Sequence, residues 1–227
     1  MSSESSNKHV IQDAINQGNI LLAKKLIDEY PNQLYQKDED GRIPLSIAIS
    51  SNNSDLVEYI LSKTPKNIDI DDYVDDSGFA ATHIAASIGN ALIFNRLMRL
   101  DPTPDVNLKT NIGTTCLHLA ISKNHYEIVK ELVETYKANA RVQDRLGNTP
   151  LHRAAAIGSQ PIVKLLVEKG KVGVNAKNKD GLTALDEALT EGHGDVAVLL
   201  VKLGADPEVN KDIHVDEKVA TFYKTNI

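Results

Sequence analysis

Apolar and small residues recur along this chain on a period of about 34. Aligned on Gly41, Gly78, Gly113, Gly147 and Gly181, whose spacings are 37, 35, 34 and 34, the same offsets return the same residue types. Four positions on stand Leu45, Thr82, Leu117, Leu151 and Leu185, and seven on stand Ala48, Ala85, Ala120, Ala154 and Ala188 without exception. Eleven on come Asn52, Gly89, Asn124, Gly158 and Gly192, and nineteen on come Ile60, Leu97, Leu132, Leu166 and Leu200. Agreement at so many positions across five registers marks a repeat protein. One unit of this size cannot bury its own apolar face, so neighbouring units must stack on it.

The fourth unit shows what each unit predicts. In 149-TPLHRAAAIG-158, Thr149 is placed to cap a helix and Pro150 suits its first position, where a missing N–H is harmless. Ala154 and Ala155 let another helix come close, and Gly158 ends the first helix because it accepts a positive φ. A second helix over 161-PIVKLLVEKG-170 carries an apolar face and is closed by Gly170. Ile43 and Ala80 replace the hydroxyl at the cap position of the first two units, which costs about 1 kcal/mol each. Residues 9–31 predict an N-terminal cap of two helices with no turn before them, and 216-DEKVATFY-223 a shortened C-terminal cap. The expected layout is an all-α solenoid of about seven helix-turn-helix repeats, two of them caps. It comprises a disordered tail over 1–7 and one domain over 8–227. The domain divides into a cap repeat at 8–37, full repeats at 38–74, 75–110, 111–144, 145–178 and 179–212, and a truncated cap at 213–227.

The T-P-L-H-x-A-A-x-x-G pattern on this period resembles the ankyrin repeat, from about residue 8 to residue 227. That resemblance implies a protein-binding scaffold that uses the fingertips of its turns and the exposed face of its first helices. Composition fits. A net charge of −6 and 4% aromatic residues without Trp argue against nucleic acid, which calls for clustered Lys and Arg with stacking rings. The longest apolar run, 196-VAVLLV-201, is far short of the ~20 residues that span a bilayer. The N-terminal MSSESSNKH has no apolar core of a secretory signal, and a single Cys116 fits a reducing compartment. The expectation is a protein of cytoplasm and nucleus, monomeric on its own, with no membrane or nucleic-acid partner.

Candidate chemistry is sparse. His83, His118 and His152 share one repeat position, five beyond the glycine. A zinc site needs ligands at ~2.1 Å, whereas equivalent positions of stacked helices lie roughly 10 Å apart. Ser46 and Asp186 fill the position in the other two units, so the histidines are expected to bond near their own helix starts and bridge repeats. His125 and His193 fall at the turns between paired helices, with no nucleophile or carboxylate at a diagnostic motif, and Cys116 takes the place of the proline in TPLH. No phosphate-binding loop, nucleophile elbow or zinc-protease motif is present in the sequence. No catalytic residue, metal site or cofactor is therefore expected.

The fingers are where a partner is expected. Their residues are Asp38, Glu39, Asp40 and Arg42; Asp75, Asp76 and Phe79; Asn111 and Ile112; Arg145 and Leu146; Lys179 and Leu182. Charge is segregated, with 38-DED-40 and 69-DIDDYVDD-76 early and Arg141, Arg145, Lys177 and Lys179 late. Such a strip orients a partner bearing the opposite order. Phe79 and Tyr73 offer aromatic anchors, and on the first helices Ser87, Ile88, Lys123, Arg153 and Glu191 are candidates, Lys123 and Arg153 foremost.

A closer resemblance is carried by 36-QKDEDGRIPL-45, 69-DIDDYVDDSGF-79, 115-TCLHLA-120, 150-PLHRAA-155 and 191-EGHGDVAVLLV-201. These resemble the gankyrin group of ankyrin proteins, whose fungal member is an assembly chaperone of the proteasome regulatory particle. The resemblance implies binding to the C-terminal domain of one proteasomal ATPase subunit. It places Asp40 and Asp76 against the partner's basic residues and Arg42 and Lys123 against its acidic ones. Phe79 stands where the group usually has Trp, keeping a ring and losing the indole N–H. Two other readings stay open: an ankyrin adaptor for another soluble protein, such as a kinase or transcription factor, and a regulatory module acting on a separate catalytic chain.

Overall fold

A computed structural model describes residues 8–227; the expected tail over 1–7 lies outside the described residues. These residues form thirteen α-helices, two short 3-10 helices and no strand. The chain packs as two compact units, the first ending at Asp105 and the second beginning at Val106. The first contains α1 (Val10–Asn16), α2 (Ile20–Glu29), α3 (Pro44–Ser50), α4 (Ser54–Lys63), α5 (Ala81–Ile88) and α6 (Ala91–Leu97). The second contains α7 (Cys116–Ser122), α8 (Tyr126–Glu134), α9 (Pro150–Ala156), α10 (Gln160–Glu168), α11 (Ala184–Thr190), α12 (Gly194–Lys202) and α13 (Glu217–Asn226).

Within each unit the helices form two rows. In the first, α3 packs between α1 and α5, and α4 between α2 and α6; in the second, α9 packs between α7 and α11, and α10 between α8 and α12. Most first helices are seven residues long, too short to persist alone, so their stability is that of the packing. Small residues make this packing possible. Ala48, Ala85, Ala120, Ala154 and Ala188, one on each first helix, are all fully buried, and a larger side chain there would force packed helices apart. Ile60, Leu97, Leu132, Leu166 and Leu200 fill the space between rows and are at most 1% exposed.

Two backbone positions per repeat need a left-handed conformation. The finger glycines have φ between 76° and 82°, and Asn52, Gly89, Asn124, Gly158 and Gly192, just past each first helix, range from 55° to 86°. Glycine and asparagine are the residues that tolerate this region. Gly170 differs from the expectation. It has no positive φ, and it is small because a Cβ there would press on the Leu166 carbonyl and the Ala140 methyl. The C-terminal helix α13 closes the second unit by laying Phe222 over Gly194 and burying Tyr223, whose hydroxyl donates to the Pro207 carbonyl at 3.1 Å.

The histidines at the shared position are scaffold. His152 Nδ1 accepts the Thr149 N–H at 3.2 Å and its hydroxyl at 2.7 Å, while Nε2 meets the Leu182 carbonyl of the next repeat at 3.0 Å. An Nδ1 that accepts an N–H is unprotonated, so Nε2 carries the proton and donates it. His118 repeats the arrangement with Thr115 and the Asn148 carbonyl. Thr149 therefore does not cap in the expected way: it makes no direct side-chain cap bond, and its hydroxyl goes to the His152 imidazole. Ala80 keeps half of this device, donating its N–H to His83 Nδ1 at 3.1 Å, whereas Ile43 has no side-chain cap. In the last full repeat Asp186 substitutes for histidine, accepting from both the N–H and the hydroxyl of Thr183 and from the Asn210 N–H.

Burial, with Arg153 nearby, lowers the His118 pKa from 6.5 to about 4, and burial lowers that of His152 as well. A base whose folded pKa is depressed stays neutral in the fold while the unfolded chain takes up a proton. The stability it contributes is complete above pH 6.5 and is lost as pH falls towards 4. Chemical unfolding should show about 3 kcal/mol less stability at pH 4 than at pH 7 from His118, with His152 adding in the same direction. His118→Gln, which cannot titrate, flattens that slope.

Candidate protein-binding site

Each finger is a tight hairpin closed by one short polar side chain. Asp38 Oδ1 accepts the N–H groups of Asp40 and Arg42 at 3.0 and 2.8 Å, and Asp75 Oδ1 those of Ser77 and Phe79 at 2.9 and 2.8 Å. Asp144 does the same for Leu146 and Asn148, and Asn178 for Asp180 and Leu182. Thr110 Oγ1 takes the Thr114 N–H at 3.2 Å. These residues all stand three before the turn glycine, so the signal was present in the repeat alignment as Asp, Asp, Thr, Asp, Asn. It is a local Asx-type closure, the reason short acceptors favour turns. Asp38 and Asp75 thus shape their fingers from within, while Asp40 and Asp76 face outwards.

In the first unit, Arg42 lies between two carboxylates. Its Nε donates to Asp38 Oδ2 at 3.1 Å and its Nη2 reaches Asp40 Oδ2 at 2.7 Å. The Asp38 side chain is 13% exposed and the Asp40 side chain 69%. The inner contact holds the guanidinium in place; the outer one, in water, is worth little and re-pairs easily. The Asp76 N–H donates to the Asp40 carbonyl at 3.2 Å, joining the two acidic fingers, and the Asp76 carboxylate lies over Gly41. Asp40 and Arg42 border a cleft of about 400 Å³ whose other wall is Lys8, His9, Gln12, Asp13 and Asn16 at α1. Phe79 is half-buried with its ring edge-on to His83, centroids 5.9 Å apart. Tyr73 packs on Tyr35 at 5.4 Å, so its ring is already engaged.

In the second unit the expected finger residues Asn111, Ile112, Arg145, Leu146 and Lys179 are exposed, as is Asp180, and Leu182 is half-buried. Arg145 rests its guanidinium on the Asn111 carbonyl at 2.8 Å. Lys123, at the end of α7, is exposed. Arg153 is more committed than its sequence position suggests. Its Nη2 pairs with Asp144 Oδ2 at 2.6 Å and Nη1 donates to Ser122 Oγ at 3.2 Å, leaving 30% of the side chain exposed. The buried Asp144, whose other oxygen closes the finger, needs that cation. Among the described residues, no helix is long and apolar enough to cross a membrane.

Stacked helix pairs joined by hairpin fingers that carry exposed charge define a helical-repeat architecture. The model of the family described as ankyrin repeats, in three copies, matches residues 11–110, 82–178 and 117–211. The chain belongs to the ankyrin-repeat family. It is 40% identical over 139 residues to a probable 26S proteasome regulatory subunit p28 of Saccharomyces cerevisiae, across 61% of this chain and 60% of that protein. It is 28% identical over 115 residues to the NAD-dependent deacetylase sir2B of Dictyostelium discoideum, across 51% of this chain and 14% of the deacetylase. The chain thus spans less than two thirds of the length of either relative. The crystal structure of the ankyrin repeat domain of Bcl-3 superposes with a TM-score of 0.73, covering 95% of this chain and 97% of that one at 23% identity, a likeness of fold.

Proposed function

We propose that this protein is a non-catalytic scaffold of the proteasome regulatory particle, acting as an assembly chaperone that holds the C-terminal domain of one proteasomal ATPase subunit. The 40% identity to a probable proteasome regulatory subunit carries this reading, and the sign of the finger charges supports it. Held in this way, the domain is kept from its place in the assembled particle, so the scaffold controls when the ATPase ring docks on the proteolytic core.

On this reading Asp40 and Asp76 receive basic residues of the domain, and Arg42 and Lys123 receive acidic ones. Arg42 suits that task because Asp38 fixes its direction while its outer partner, Asp40, is solvated and readily exchanged. Phe79 presents a half-buried ring beside the acidic fingers. Asp38 and Asp75 contribute by setting the shape of their fingers, and Ile112, Arg145 and Arg153 belong to the matching surface of the second unit. The protein acts as a monomer in cytoplasm and nucleus and needs no cofactor or metal.

Affinity purification of the tagged chain from cells tests the reading. Proteasomal ATPases should co-purify stoichiometrically, without the proteolytic core. Recovery of other soluble proteins with no ATPase subunit would instead make the chain a general ankyrin adaptor.

A further inference from the structure

The residue immediately before each finger glycine is Asp40, Ser77, Ile112, Leu146 and Asp180 in turn. It is polar in three fingers and a large aliphatic in two consecutive ones. Both aliphatics face solvent, Ile112 at 50% exposure and Leu146 at 61%. They sit side by side because the Arg145 N–H donates to the Ile112 carbonyl at 2.8 Å, setting the start of the next finger against it. Folding does not require them. Fingers with Asp40, Ser77 or Asp180 at this place have the same glycine geometry, φ 77°, 82° and 77°, as those with Ile112 and Leu146, 76° and 81°. Adjacent on rigid turns, they offer contiguous apolar surface, unlike the singly scattered exposed side chains that need no explanation.

The charge around them has one dominant sign. Arg145 lies between the two, with its guanidinium on the Asn111 carbonyl next to Ile112. The Lys179 N–H donates to the Leu146 carbonyl at 3.0 Å, and Lys109 is exposed one residue before the Ile112 finger begins. Of the carboxylates on these fingers, Asp144 is buried and paired with Arg153, which leaves Asp180 as the exposed acid against four exposed cations, Lys109, Arg145, Lys177 and Lys179.

We infer that Ile112 and Leu146 form a two-finger apolar clamp for an apolar side chain ringed by carboxylates on the ATPase C-terminal domain, and that this clamp selects which ATPase is held. The inference rests on the proposed function and adds Leu146 and the chemistry of the patch it meets. The cations of Arg145 and Lys179 bring the acidic ring into register, and the aliphatics fix the complex once water is expelled.

The test titrates the full chain and the variant I112S/L146S against the isolated C-terminal domain of each proteasomal ATPase. Both positions are exposed, so the variant should keep the wild-type melting temperature, and the measurement is read only on protein that does. The preferred domain should bind the variant about 30- to 100-fold more weakly at both low and high salt, mainly through faster dissociation. Arg145→Ala with Lys179→Ala should instead slow association and lose most of its effect at high salt. Wild-type affinity of I112S/L146S would overturn the clamp and leave the proposed function standing. Failure of every domain to bind the unmodified chain would overturn both.

Discussion

Reversing Asp40 and Asp76 to lysine together should weaken binding to the ATPase C-terminal domain at least about 100-fold, with helical content unchanged. Each reversal removes one attraction and creates one like-charge contact, and such contacts cost several kcal/mol across an interface. The two residues act together because the Asp76 N–H donates to the Asp40 carbonyl, which keeps both carboxylates on adjoining fingers. The fold should survive because the turns are closed by Asp38 and Asp75, which the variant leaves alone. A lysine in place of Asp40 would stand beside Arg42, yet the Arg42 Nε remains on Asp38, so the finger keeps its shape. Circular dichroism checks the helices and calorimetry the affinity. The loss should shrink as salt rises, because these groups are solvent-exposed. Unchanged affinity would remove the acidic fingers from the site.

His152→Ala should do the reverse, lowering stability and sparing affinity per folded molecule. The substitution strands the buried Thr149 N–H, removes one of the two donors to the Leu182 carbonyl, which keeps the Asn178 N–H, and leaves a cavity where the ring was. Together these cost about 3 kcal/mol, or roughly 10 °C in melting temperature for a chain of this size. Because Nε2 reaches the following repeat, the damage extends to the seam between α9 and α11 rather than to one helix end. A thermal scan decides the matter: a variant melting with the wild type would mean that the imidazole is dispensable to the scaffold.

What the repeat alignment could and could not predict follows from the physics of each position. The alanine at the seventh offset and the leucine or isoleucine at the nineteenth announce the packing because burial leaves no choice of size there. The two glycine registers announce the turns because a positive φ admits few residues. The finger keystones are equally visible, as Asp38, Asp75, Thr110, Asp144 and Asn178, but a short polar residue in a loop reads as ordinary surface until its oxygen is seen accepting N–H groups of its own turn, two of them in every finger but that of Thr110. Arg153 shows the limit more sharply. Its length and position on a first helix suggest a partner contact; the structure adds a pairing with Asp144, nine residues earlier in the chain, which no periodicity encodes and which leaves 30% of the side chain exposed. Thr149 teaches the same lesson at short range, since its hydroxyl bonds to the imidazole three residues on instead of capping the helix directly.

The surface residues are legible only as types and registers. That Asp40 is open to solvent while Asp38 is not, or that Ile112 and Leu146 adjoin, depends on which way each hairpin turns its side chains. Charge order along the fingers is a property of the sequence; which of those charges is available is a property of the fold.

The proposed function is decided most plainly by titrating the full chain against the isolated C-terminal domain of every proteasomal ATPase subunit under one set of conditions. One domain should bind clearly more tightly than the rest, with an affinity that falls as salt is raised. No binding to any of the domains, or equal binding to all of them, would contradict it.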